Sequence, residues 1–213
     1  MKENKFKIAF LCLICYLIAQ PFISDKATVL RAVFMYGLVV GFLFSPYLLS
    51  KSKKWLFFGV ISISIVLVLD IIHYSNDVYF YSTNIFELII HFIVIMYLFQ
   101  HITSAEETTI DLVYASLLGY FLLAIGFAHA YEVLTNLGYM EFKPLKTFDG
   151  NDWNYLYYSF TTLTTLGYGD IVPVSPVARR LSGIEAATGV LYVAVFIGRL
   201  IGMHSIMSKN KQN

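Results

Sequence analysis

Charged side chains are scarce in this 213-residue chain, which holds 15 Lys and Arg against 14 Asp and Glu. At 14% of the residues they fall well short of the roughly 25% usual in soluble domains, so water is not the main solvent. A net charge of +1 says little about nucleic acid or acidic partners, but no basic stripe stands out, so no nucleic-acid partner is expected. Cysteine is nearly absent. Cys12 and Cys15 form a C-x-x-C spacing, but inside an apolar run, where two small buried hydrophobes fit better than a redox or zinc site. The chain also lacks a phosphate-binding loop, a Ser-His-Asp constellation and metal-ligand spacing, so an enzyme is not expected. No internal repeat is evident.

What fills the chain is apolar: 58% of residues are hydrophobic. Apolar runs at 6–23, 29–49, 55–73, 80–101, 111–136 and 176–206 each approach or exceed the roughly 20 residues that cross a bilayer. Six membrane-spanning helices are therefore expected, in an all-α membrane protein. Lys2, Lys5 and Lys7 before the first run, Lys51, Lys53 and Lys54 after the second, and Lys209 and Lys211 after the sixth all fall on one side. The bias of basic residues towards the cytoplasm then puts both termini there, in a multi-pass protein of the cell membrane. The first run is read as a span rather than a cleaved leader, since no clean small-residue cleavage site follows it.

Between the fifth and sixth runs stands Thr165-Leu166-Gly167-Tyr168-Gly169, followed by Asp170. Gly167 and Gly169 alternate with Leu166 and Tyr168, which frees the backbone to turn successive carbonyls towards one axis. Alone, Gly-Tyr-Gly-Asp is more commonly a glycine-rich turn. Its context decides otherwise. An aromatic segment capped by Asn151 or Asp152 and running to Thr164 is long enough for about three helical turns, and Pro173 and a long apolar helix follow. In order and spacing, residues 111–206 resemble the potassium channel pore family, whose signature is Thr-Val-Gly-Tyr-Gly-Asp; Leu166 replaces the usual Val. The resemblance implies a selectivity filter at Thr165, Leu166, Gly167, Tyr168 and Gly169, with K⁺ held by the carbonyls of Thr165 to Tyr168 and by the Thr165 hydroxyl. K⁺ would be the permeant ion, with no organic cofactor. One chain supplies one filter strand, and a closed ring needs about four, so a homotetramer among membrane lipids is expected.

The same resemblance implies an aromatic cuff behind the filter from Trp153, Tyr157, Tyr158 and Thr162, with Asp170 bonded to Tyr157 or Tyr158; interfacial belt residues are the plainer reading of these aromatics. Thr161 stands nine residues before Asp170, where some bacterial relatives carry a glutamate, which casts doubt on inactivation through a buried carboxylate pair. On the inner helix, Gly189 matches the family's hinge glycine, with helix packing as the alternative role. Val190, Val193 and Ile197 would line an apolar cavity and gate. Gly198 and Gly202 form a small-x-x-x-small packing step, and Arg199 can snorkel or pair with Asp111.

Residues 1–104 read as a four-helix bundle upstream of a pore domain at 105–213. The bundle occupies a voltage sensor's place, but its fourth run has no Arg or Lys, so gating by voltage is not expected. Asp70, Glu87 and His91 are ionisable residues in apolar runs, open to a sensor role or to a structural polar cluster. Few residues follow Ser208, so no soluble regulatory domain is expected. The expected function is passive, selective K⁺ conduction; the alternative is a membrane sensor or receptor with a poorly conducting or non-selective cation pore gated by pH, lipid or a small ligand.

Overall fold

A computed structural model describes residues 5–19, 77–105, 109–144 and 152–210. Among these residues five α-helices and two short strands follow in order: α1 (Lys5–Ala19), α2 (Asp77–Ser104), α3 (Ile110–Asn136), β1 (Phe142–Pro144), α4 (Asp152–Leu163), β2 (Ile171–Pro173) and α5 (Pro176–Asn210). The protein is thus predominantly helical. Helices α2, α3 and α5 coincide with the fourth, fifth and sixth apolar runs, and α1 with most of the first. The second and third runs lie outside the described residues. Among the described residues, α3 is the one helix long and apolar enough to cross a membrane by composition, and α1 carries a shorter apolar stretch, Phe6–Ile18.

The helix ends follow from local chemistry. Thr109 caps α3 by accepting the Leu112 amide on its hydroxyl at 3.1 Å. At the other end Gly138 takes φ 77°, its amide bonds the Thr135 carbonyl at 2.9 Å, and the Tyr139 amide bonds the Leu134 carbonyl at 2.9 Å. That pair of bonds satisfies carbonyls the helix leaves open. Ser175 caps α5, accepting the Ala178 amide at 3.3 Å, and Pro176 sits at the first helical position, where its missing N–H costs nothing.

The chain divides into two compact units, Met1–Tyr79 with Thr109–Leu118, and Phe80–Thr108 with Gly119–Asn213. In the first, Asp111 accepts the amides of Phe6 and Lys7 at 2.9 and 3.3 Å, capping the start of α1 from a point far along the chain. Phe10 packs against Tyr114, ring centroids 5.8 Å apart. Asp111 was expected as a partner for Arg199; its described role is this cap.

In the second unit β1 pairs antiparallel with β2, Lys143 opposite Val172, and helix α4 packs on α5. A buried cluster of Ala128, Tyr131, Met140, Tyr155, Tyr158 and Ala178 joins α3, α4 and the start of α5. Its rings meet edge to face: Tyr131 lies 5.3 Å from Tyr158, and Phe142 lies 5.0 Å from Tyr158. Edge-to-face aromatic pairs add about 0.5–1.5 kcal/mol each beyond the area they bury. This cluster fixes α4, and so the segment that leaves it.

Candidate functional site

Helix α4 ends at Leu163, and the chain turns back on itself. The Thr164 amide bonds the Phe160 carbonyl at 3.1 Å, the Thr165 amide the Thr162 carbonyl at 2.9 Å, and the Gly167 amide the Thr161 carbonyl at 3.0 Å. Beyond the turn the sign of φ alternates. Thr165 has φ 58°, Gly167 54° and Gly169 78°, while Leu166 and Tyr168 between them are not left-handed. A backbone that changes hand at each residue is the pattern that lets successive carbonyls face one side. A Cβ on Gly167 or Gly169 would meet nothing within 4 Å, so both glycines answer to conformation, not to space. Thr165 is the surprise, for a β-branched residue at positive φ is a rare and strained choice.

Behind the segment, Tyr157 on α4 donates to Asp170 Oδ2 at 2.6 Å, and its ring stacks on Tyr168 at 6.5 Å and 6°. That bond, above all, pushes the Tyr157 hydroxyl up to about 12, burial and the Asp170 charge adding to it. Of the two tyrosines expected beside Asp170, Tyr157 is the partner. Tyr158, one residue on and about 100° around the helix, turns into the buried cluster and reaches Ser182 at 2.6 Å. The single Ser182 hydrogen goes to the Ala178 carbonyl at 2.7 Å, which makes Tyr158 the donor. Tyr157 supports the segment directly and Tyr158 secures the helix, while the Trp153 side chain lies outside the described residues. Thr161 is buried, donates to the Tyr158 carbonyl at 2.9 Å, and with Thr162 lends the carbonyls that hold the turn.

The last carbonyl of α4 is gripped from two sides. Tyr120 on α3 donates to the Leu163 carbonyl at 3.2 Å, and Gly189 on α5 lies so close that any Cβ there would clash with the same oxygen. Gly189 thus has a steric requirement that its helix position alone does not reveal. Deeper in the unit, Tyr131 donates to Glu185 Oε2 at 2.5 Å, and Ser159 bonds both Glu185 Oε1 and, at 2.7 Å, the Ala124 carbonyl. Sequence reasoning missed Glu185. The available signal was a lone carboxylate in an apolar helix.

Val190 and Val193 are 56% and 42% exposed on α5, and the Ile197 side chain lies outside the described residues. Asp70 and the Glu87 side chain also lie outside them. The His91 ring on α2 lies 4.8 Å from that of His129 on α3, a neighbour the sequence did not point to. Arg199 was expected to snorkel or to pair with Asp111, a residue of the other unit. Its Nη2 donates to the carbonyls of Thr103 and Ala105 at 2.6 and 2.7 Å, satisfying groups left open at the end of α2.

Protein LctB of Bacillus caldotenax is 28% identical over 105 residues, spanning 47% of this chain and 78% of that protein. No solved structure matches. A family model described as "Ion channel" matches residues 84–204, which takes in α3, the alternating segment and most of α5 and amounts to more than half of the chain. The chain belongs to this ion channel family.

Proposed function

We propose that this protein is a potassium-selective channel of the cell membrane, in which four copies each give one strand, Thr165 to Gly169, to a shared filter. The observation that carries this reading is the alternation of φ at Thr165, Gly167 and Gly169. Four such strands about an axis build rings of carbonyl oxygens, with the Thr165 hydroxyls as the innermost layer. The rings replace the hydration shell of K⁺, and neighbouring sites let ions leave by mutual repulsion. In a single chain Leu166 and Tyr168 are 55% and 68% exposed, and α5 exposes Ile184, Leu191 and Val195, apolar surface suited to neighbouring copies and lipid. The C-terminal end of α4 turns its negative dipole end towards the cavity below the filter, where a hydrated cation gains from it.

Six spans with cytoplasmic termini place the filter at the outer face. Residues 105–213 form the pore and residues 1–104 a bundle without gating charges. Gly189 bends the inner helix, and Val193 and Ile197 close the apolar gate below it. Purified protein in liposomes should pass K⁺ and Rb⁺ with little Na⁺, and Ba²⁺ should block. Equal K⁺ and Na⁺ flux would refute the reading.

A further inference from the structure

Ser159 has one hydroxyl hydrogen and two neighbours that call for it. The Ala124 carbonyl, 2.7 Å from Ser159 Oγ, can only accept. Glu185 Oε1 is the second neighbour, and Tyr131 already donates to Oε2 at 2.5 Å. If Glu185 were ionised, the hydrogen would serve one neighbour and leave bare lone pairs facing each other at the other. A hydrogen on Oε1 removes the conflict, since Glu185 then donates to Ser159, Ser159 to Ala124, and Tyr131 to Glu185. The surroundings favour the same form. Glu185, Ser159 and Tyr131 are all 0% exposed. The titratable groups facing the carboxyl are Tyr131 and Tyr120 from α3 and Tyr158 from α4, and no cation stands among the described groups acting on it. A buried carboxylate without a countercharge is strongly disfavoured against its neutral form.

We infer that Glu185 is a neutral carboxylic acid and a positioning residue, whose proton ties α4 to α3 and α5 and so holds the start of the filter in place. The link is short. Ser159 lies four residues before Leu163, whose carbonyl is the point that Tyr120 and Gly189 grip. The consequence for conduction rests on the proposed channel reading; the protonation does not. Loss of the proton sets Ser159 against either Ala124 or Glu185 and loosens α4 on the side away from Tyr157.

The test compares the full-length protein in liposomes with Glu185→Gln, Glu185→Ala and Ser159→Ala. Infrared spectra of the wild type at neutral pH should show the carbonyl stretch of a protonated carboxylic acid, and Glu185→Gln should lack it. Glutamine offers an N–H to Ser159 and an oxygen to Tyr131, so Glu185→Gln should keep K⁺ flux and make it insensitive to alkaline pH, where wild-type flux falls. Glu185→Ala takes away the acceptor of the buried Tyr131 hydroxyl and the donor to Ser159, and should lose flux per recovered protein at least about tenfold. The inference is overturned if the wild type lacks the acid band at neutral pH, or if Glu185→Gln is as impaired as Glu185→Ala. It is equally overturned if Glu185→Ala conducts like the wild type. Should no form conduct, the channel reading fails by itself, and the infrared band still decides the protonation.

Discussion

Gly189 and Leu163 share one tight space. A Cβ at residue 189 would lie 2.9 Å from the Leu163 carbonyl carbon and closer still to its oxygen, the same oxygen that accepts from Tyr120. The last turn of α4 can therefore hold its place only while α5 presents bare backbone there.

Replacing Gly189 with alanine should push α4 off α5. Overpacking of this kind typically costs about 1–3 kcal/mol. Tetramer recovery in detergent and K⁺/Na⁺ selectivity should fall together. A glycine used for bending alone would give a different result: intact tetramers with unchanged Ba²⁺ block that merely open less often.

Tyr157→Phe keeps the ring against Tyr168 but removes the donor to Asp170 at 2.6 Å. A hydrogen bond to a charged group contributes about 1.5–3 kcal/mol when well shielded and less where it is exposed, as Tyr157 is. K⁺ flux should start at the wild-type rate and decay faster, most visibly in low K⁺. In the wild type the bond has a defined pH range. With the hydroxyl pushed up to about 12, the stabilisation is whole below the ordinary tyrosine range near 10 and is lost as pH rises through about 12. Thermal unfolding followed against pH in wild type and Tyr157→Phe should differ least at the highest pH. A difference that grows there would contradict this.

Arg199 holds the carbonyls of Thr103 and Ala105 at the end of α2. Arg199→Gln should lower the melting temperature of the detergent-solubilised protein, consistent with a loss of about 1–3 kcal/mol for groups left unpaired. No change in melting temperature would show that water replaces the guanidinium without penalty.

How much of this was legible in the sequence varies with the range of the interactions. The irregular segment between α4 and β2 could be read because its glycines stand between an aromatic helical stretch and a long apolar run, and α3 because length and apolarity carry over a whole helix. The Ser175-Pro176 start of α5 is also a local signal. The left-handed Thr165 was not legible, because intrinsic preference argues against a β-branched residue there and the surrounding turn overrides it. Nor was Asp111 as a cap for α1, a contact across more than a hundred residues with no local trace. Tyr157 and Tyr158 read alike in sequence, and what separates their roles is the roughly 100° between neighbours on α4, which leaves Tyr157 exposed and turns Tyr158 into the buried cluster.

Helix α2 carries no Lys or Arg from Asp77 to Ser104. Moving one charge through the membrane yields about 2.3 kcal/mol per 100 mV, and this helix offers no such cation to move. Conductance in symmetric K⁺ should vary only weakly with voltage. A steep sigmoidal curve would place gating charge elsewhere in the chain.

The filter itself is tested most directly by the bi-ionic reversal potential of single tetramers in planar bilayers, K⁺ on one side and Na⁺ on the other, for wild type and Gly169→Ala. Gly169 stands at φ 78°, where an added Cβ costs about 1–2 kcal/mol per strand, a cost that the proposed ring of four strands would meet four times. Wild type should reverse far towards the K⁺ equilibrium potential, and Gly169→Ala should either reverse close to zero or carry no current. A wild-type reversal close to zero, or an alanine variant indistinguishable from a selective wild type, would contradict a K⁺ filter at Thr165 to Gly169.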